Sequence, residues 1–212
     1  NLLTATRLYL DQLPQHIGDC VPQKSEAGDL VKVRCSDEYD NHFEYRFMEA
    51  LRNHVQHRGI PIHFVQQNAR WTSFEDDRQM EFSVHIAAQR SYLEEDEKFK
   101  KSILGEVSKD IDLIAASRRY IECISAINEF VRELIADSVI SARTVIEAAH
   151  QSYAQVFSES LIGISAMEVN KGQMVSSVPL LLDWDDVRIQ LQKRNRQLIN
   201  LAKRYVTSRV AI

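Results

Sequence analysis

Apolar residues recur at helical spacing along most of the chain. In the segment 39–58 an apolar side chain returns every four residues and forms one stripe: Tyr39, Phe43, Phe47, Leu51 and Val55. Such a stripe predicts an amphipathic helix with one face on a core. The helix is expected to end with Gly59 in a left-handed cap, and Pro61 prevents its continuation.

The segment 111–135 carries apolar side chains on two sides. Because a helix that is apolar on two sides is covered on two sides, we predict that this segment is the central helix of a bundle. A further helix is predicted over 139–157, after a break at Asp137-Ser138. Other helices are predicted over 2–13, ended or kinked by Pro14, over 99–107, and from 184 towards 206. The acidic run 94–97 is interpreted as a solvated helix start.

Two pairs of segments alternate as strands do. Residues 60–65 and 81–87 are interpreted as strands joined by a polar connection over 66–79. A second hairpin is predicted from 162–169 and 173–181, around the turn Asn170-Lys-Gly. Residues 18–38 hold glycines, a proline and scattered charge, and we interpret them as a long loop with a short strand over 30–33.

Composition supports a helical fold. The chain has 6 glycines and 4 prolines in 212 residues, too few turn formers for many short strands. We therefore predict a mainly α fold: a helical bundle of about five to six helices with one or two small β-hairpins. The chain is expected to be a single helical domain over 1–212, with 60–90 and 161–182 as hairpin insertions. A hydrophobic content of 44% and a net charge of −4 are typical of a globular domain.

The three cysteines are too far apart for a disulfide framework or a metal knuckle, which indicates a reducing compartment. No apolar run approaches the ~18 residues of a membrane span, and no secretory signal is recognised. We expect a cytoplasmic protein without a membrane partner.

Familiar catalytic motifs are missing, among them phosphate-binding glycine loops, dinucleotide fingerprints and the serine-hydrolase elbow. Four histidines invite comparison with a zinc site, but they lack cysteines or nearby carboxylates at metal spacing: His54, His57, His63 and His85. We therefore expect no metal and no other cofactor.

The end of the helix predicted over 39–58 carries the most distinctive string, Leu-Arg-Asn-His-Val-Gln-His-Arg-Gly-Ile-Pro over 51–61. Arg52 is separated from His57 by four residues, and Asn53 follows the arginine directly. This string resembles the Arg-x4–6-His motif of the HEPN superfamily. These are helical-bundle proteins, many of them metal-independent endoribonucleases of toxin–antitoxin, abortive-infection and CRISPR systems.

The resemblance implies that Arg52, Asn53 and His57 are catalytic, that RNA is the substrate, and that two copies of the chain form a dimer whose motifs face a shared groove. An antitoxin or other regulatory protein is a further expected partner. The residue types suit this chemistry, because histidine titrates near neutral pH and arginine offers a fixed fork of donors to a phosphate.

Helical geometry separates the two principal residues. Five positions turn His57 by roughly 140° from Arg52, with about 7.5 Å of rise, so one helix alone does not focus both on one atom. A cleft formed by two copies would do so, which agrees with the dimer that the resemblance implies. Asn53 is four residues before His57 on the same helix face and is expected to orient either the His57 imidazole or the Arg52 guanidinium.

An alternative stays open. Arg52, Asn53 and His57 lie off the apolar stripe, as a solvated helix face would. Residues 187–212 hold seven basic and no acidic residues, which fits either the water face of an amphipathic helix or an RNA contact through Lys193, Arg194 and Arg196. The chain is thus expected to be an endoribonuclease of a bacterial defence or toxin system, or a non-catalytic helical module that binds protein or RNA.

Overall fold

The computed structural model describes residues 1–21, 24–72, 78–157 and 160–201, and at residues 24 and 25 it describes the backbone alone. In this part of the chain it has seven helices and five strands, in the order α1 (Leu2–Cys20), α2 (Lys24–Asn41), α3 (Phe43–His57), β1 (Phe64–Trp71), β2 (Met80–Gln89), α4 (Arg90–Glu94), α5 (Lys101–Glu106), β3 (Asp110–Asp112), α6 (Leu113–Val156), β4 (Ser165–Asn170), β5 (Gln173–Pro179) and α7 (Asp183–Arg194). The predicted mainly α fold with small hairpins is confirmed, although the helices number seven and not five to six.

Helix α6 is the centre of the fold. Its N-terminal half packs against α1, α2 and α3 and fully buries Tyr120, Cys123 and Ile127, which confirms the predicted central helix. Asp112 caps the start of the helix, and its Oδ1 accepts hydrogen bonds from the backbone N–H groups of residues 114 and 115 at 2.8 and 3.1 Å. The predicted break at Asp137-Ser138 is wrong: α6 runs unbroken for 44 residues, since neither residue forbids a helix.

The predicted loop over 18–38 is also wrong. Helix α2 occupies most of that range, and Leu30 and Val33, from the predicted strand, are exposed on it. The buried residues Ala27 and Val31 recur every four positions, but the stripe continues into a half-buried cysteine and a glutamate, so the pattern is weak in sequence. Pro14 does not end α1, which continues to Cys20.

The predicted helix over 39–58 is divided at His42, whose extended backbone separates α2 from α3. The end of α3 at His57 is as predicted. The left-handed cap at Gly59 is wrong, because the positive-φ glycines of the described residues are Gly163 and Gly172. Instead, the backbone N–H groups of Arg58 and Gly59 both donate to the carbonyl of His54, at 2.8 and 3.3 Å.

The strands form two antiparallel sheets. In the first, β2 lies between β1 and β3, with Phe64 opposite Ala87 and Trp71 opposite Met80. The first strand begins later than the predicted range 60–65, because β1 occupies much of the predicted polar connection over 66–79. In the second sheet, β4 and β5 meet at Lys171 and Gly172, whose φ values of 50° and 77° suit the predicted two-residue turn.

Helix α7 ends at Arg194, before the predicted 206, and residues 202–206 lie outside the described residues. None of its side chains is buried, so α7 does not contribute to the core. The following segment lies along α6, where Arg132 donates to the Asn195 carbonyl at 2.7 Å and the Leu198 N–H donates to Ser125 Oγ at 2.8 Å. Within the described part of the chain, no helix is long and apolar enough to cross a membrane.

Candidate functional site

The last two turns of α3 carry the residues that resemble the HEPN motif. The guanidinium of the half-buried Arg52 donates from Nη2 to Asn53 Oδ1 at 2.8 Å and from Nη1 to Gln56 Oε1 at 3.3 Å. Its Nε is buried and has no hydrogen-bond partner among the described residues. The amide oxygen of Asn53 thus binds Arg52, one of the two side chains that Asn53 is predicted to orient.

His57 is exposed and is the last residue of α3. It lies five positions after Arg52, so the two side chains leave the helix in directions roughly 140° apart. One copy of the chain presents both residues on the same helix end but does not bring them to one point.

Arg52 lines a groove of about 640 Å³ between α3, the start of α1, the start of α6 and the segment after α3. Arg118 of α6 is the other charged residue of its lining. The remaining walls are mostly apolar and include Leu3, Val55, Ile62, Ile86, Ile114 and Ile121. The groove therefore combines an apolar floor with two guanidinium groups.

A buried ion-pair cluster lies directly behind this helix end. His54 Nδ1 is 2.9 Å from Asp96 Oδ2, and both side chains are buried. The other carboxylate oxygen of Asp96 lies 3.3 Å from Arg58 Nε and accepts the Lys98 N–H at 3.1 Å. The hydrogen bond with His54 holds the pKa of the Asp96 carboxyl below its ordinary value, assisted by Lys98 and Arg58 and opposed by burial.

His63 extends this cluster. Its ring stacks on Tyr92 with centroids 4.8 Å apart and meets His54 edge to face at 6.2 Å. The backbone N–H of Gln89 donates to His63 Nδ1 at 3.1 Å, which leaves the proton of the neutral ring on Nε2. Burial, and secondarily the nearby His54, lower the pKa of His63.

The cluster was hidden in the sequence for a definite reason. Asp96 belongs to the acidic run 94–97, which resembles a solvated helix start, yet it is buried. His54 lies next to the apolar stripe of α3, and this position beside the stripe is the signal in the sequence that points to its burial. The pairing of residues 42 positions apart depends on how α3 packs on the segment between α4 and α5.

The predicted RNA-contacting residues lie elsewhere. Lys193 and Arg194 end α7, Arg196 follows, and all three are exposed. The chain at Asn195 is attached to Arg132 of α6, about 21 Å along the helix from Arg118 in the groove. The structure therefore does not bring the two predicted sets of residues together within one chain.

The histidines compared with a zinc site do not gather as metal ligands in the ranges that the structure describes. One close group of three ligand-type side chains does occur there, formed by Glu38, His42 and Cys123.

Comparison with protein-family models, curated proteins and solved structures finds no match. The likeness to HEPN proteins accordingly rests on the motif over 52–57.

Proposed function

We propose that this chain is a dimeric, metal-independent endoribonuclease of a bacterial defence or toxin system. The observation that carries the proposal is the arrangement on the last turns of α3: a guanidinium held by Asn53 and Gln56, one turn from an exposed histidine and beside a groove. An arginine held in this way is pre-positioned to receive a phosphate.

The proposed reaction uses the RNA as its own nucleophile. A base removes the proton of the 2′-hydroxyl, the 2′-oxygen attacks the adjacent phosphorus, and the 5′-oxygen leaves as it receives a proton. The products are a 2′,3′-cyclic phosphate and a 5′-hydroxyl. His57 serves as base or acid, and Arg52 stabilises the negative charge that develops on the phosphate.

A second copy of the chain supplies what one helix lacks. The groove beside Arg52 has the apolar walls on which a partner helix packs, and a two-fold axis there places two motifs opposite one another. Lys193, Arg194 and Arg196 then bind more distant RNA phosphates. A toxin of this kind acts on RNA in the cytoplasm and is held inactive by an antitoxin or other regulatory protein.

The test is cleavage of a mixed RNA substrate by purified protein in EDTA, with folding checked by circular dichroism in the same buffer. Wild-type protein should produce 2′,3′-cyclic phosphate ends. His57→Ala and Arg52→Gln should each lower the rate by at least about 10²-fold, since each removes a group that acts in the transition state. His16→Ala is the matched control, an exposed histidine on α1.

Two results would overturn the proposal. One is folded wild-type protein that leaves the RNA intact. The other is cleavage that persists unchanged in the His57 and Arg52 variants, which would place the activity in a contaminant or in another site.

A non-catalytic binding module is the second candidate, and a separate observation favours it. One face of the β1–β2 hairpin exposes large apolar side chains, among them Val65, Trp71, Phe82 and Val84. Exposed apolar faces are typical of protein-binding surfaces. This candidate predicts that Phe82→Ser abolishes partner binding, while His57→Ala leaves binding and cell growth unchanged.

A further inference from the structure

Three side chains with different metal-binding donors meet where α2, α3 and α6 come together. Glu38 lies in the last turn of α2, His42 is the single residue between α2 and α3, and Cys123 projects from α6. Each offers one donor atom, and these three atoms lie within 4.8 Å of one another. Glu38 and Cys123 are buried and His42 is partly exposed.

The distances approach those of a tetrahedral zinc site. Ligand atoms about 2.1 Å from a zinc ion are about 3.4 Å apart in a tetrahedron, and a thiolate is slightly farther away. His42 Nε2 lies 3.4 Å from Glu38 Oε2. The Cys123 sulfur needs a shift on the order of 1 Å at most, which a side-chain rotation can supply.

The surroundings already orient the glutamate. Arg34 Nη2 donates to Glu38 Oε1, so this guanidinium holds the carboxylate and leaves Oε2 turned towards His42. Such an outer contact is the usual means by which a metal-binding carboxylate is held in place. Arg34 also balances part of the negative charge that a glutamate and a thiolate bring to the site.

We propose that Glu38, His42 and Cys123 bind a zinc ion, which completes its tetrahedron with a water at the partly exposed side of His42. The mixture of one sulfur, one nitrogen and one oxygen donor favours zinc over magnesium or calcium, which prefer oxygen alone. The ion fixes the corner between α2 and α3 against the central helix. It lies about 22 Å along α3 from His57, so it takes no part in the proposed RNA cleavage.

The corner gives this ion a structural task. His42 has an extended backbone, and its side chain makes no capping hydrogen bond to α3. A metal bond from its imidazole would tie this non-helical residue to Cys123 of α6.

The experiment measures metal content and cobalt spectra of the full chain. Purified wild-type protein should hold about one zinc per chain, and apo-protein titrated with Co²⁺ should show a thiolate-to-cobalt charge-transfer band. Cys123→Ser should lose that band, and both Cys123→Ser and His42→Gln should lose at least about tenfold in zinc affinity. Cys20→Ser is the matched control, since that half-buried thiol lies outside the group.

His42→Gln guards against misfolding, because it changes a partly exposed side chain and can be compared with wild type by circular dichroism. Folded wild-type protein that takes up neither Zn²⁺ nor Co²⁺ would overturn the proposal. Equal zinc affinity in wild type and both ligand variants would overturn it as well. Neither result affects the cleavage assay with Arg52 and His57 variants.

Discussion

Replacement of Asp96 by Asn tests whether the cluster behind α3 holds the helix end in place. The Asp96 side chain is only 5% exposed and receives the His54 ring, the Arg58 guanidinium and the Lys98 N–H. A buried hydrogen bond to a charged group contributes about 1.5–3 kcal/mol, whereas the bond to a half-exposed arginine contributes about 0–1 kcal/mol. Because an amide retains one acceptor oxygen, we expect Asp96→Asn to lower the free energy of unfolding by about 2 kcal/mol.

The pH dependence gives a sharper test of the same cluster. The pKa of Asp96 is lowered in the folded protein, so its stabilisation is complete above its ordinary pKa of 3.8 and is lost as the pH falls through the lower folded value. The stability difference between wild type and Asp96→Asn should therefore be full at pH 7 and shrink in acid. The pKa of His63 is also lowered in the folded protein, so its protonation below pH 6.5 favours the unfolded chain. The free energy of unfolding should therefore fall in acid for this second reason as well.

Urea denaturation followed by circular dichroism measures both effects at a series of pH values. Asp11→Asn is the matched control: its carboxylate also pairs with an arginine, Arg7, but it is 53% exposed. Such an exposed helical pair contributes only about 0.3–0.5 kcal/mol. If the two variants lost equal stability at pH 7, or if the Asp96 difference stayed constant down to pH 3, the buried ion pair would not be what stabilises this helix end.

Three further comparisons test the fold. Ile127 is fully buried in α6, so Ile127→Ala should lower the free energy of unfolding by about 2–5 kcal/mol in a urea titration. Ile140→Ala, on the exposed part of the same helix, is the control and should stay within about 0.5 kcal/mol of wild type. Gly172→Val should speed hydrogen exchange in β4 and β5 more than Gly172→Asn does, since φ is 77° at this turn and asparagine tolerates that region better. Arg143→Met removes the hydrogen bonds from α6 to Asp185 and Asp186 and should therefore speed amide hydrogen exchange in α7. Unchanged exchange in α7 would show that these bonds do not hold the helix in place.

The sequence predicts a helix well where apolar residues recur at the helical period over several turns and the same residues are buried. In α6 the predicted central helix buries Tyr120, Cys123 and Ile127. In α3 the predicted stripe is buried at Phe47 and Leu51, whereas Val55 is exposed. The turn at Lys171 and Gly172 was equally well marked, because the chemistry of that turn is local. In such segments the tertiary structure adds little that the neighbouring residues do not already specify.

Helix α2 escaped prediction because its evidence is tertiary. Gly28 is buried against Pro14 of α1, where an added Cβ would lie at an ordinary contact distance of 3.6 Å from the proline carbonyl oxygen, so a residue typical of loops lies in the contact between two helices. The same limit applies to the candidate site. Arg52 and His57 are recognisable as a local string, but the Asp96 pairing and the groove depend on segments far apart in sequence.

The contacts of Arg52 also constrain any dimer that cleaves RNA. Gln56 lies one turn after Arg52, accepts a hydrogen bond from it and lines the groove with it. His57 lies one turn after Asn53, roughly 140° around the helix from Arg52. In the proposed dimer, a second copy that packs into the groove meets Arg52 first and leaves His57 at the rim, so the partner's motif is needed to bring an arginine and a histidine to one phosphate. A dimer that instead buried His57 would deny RNA access to its base, and the binding-module function would then explain the same residues better.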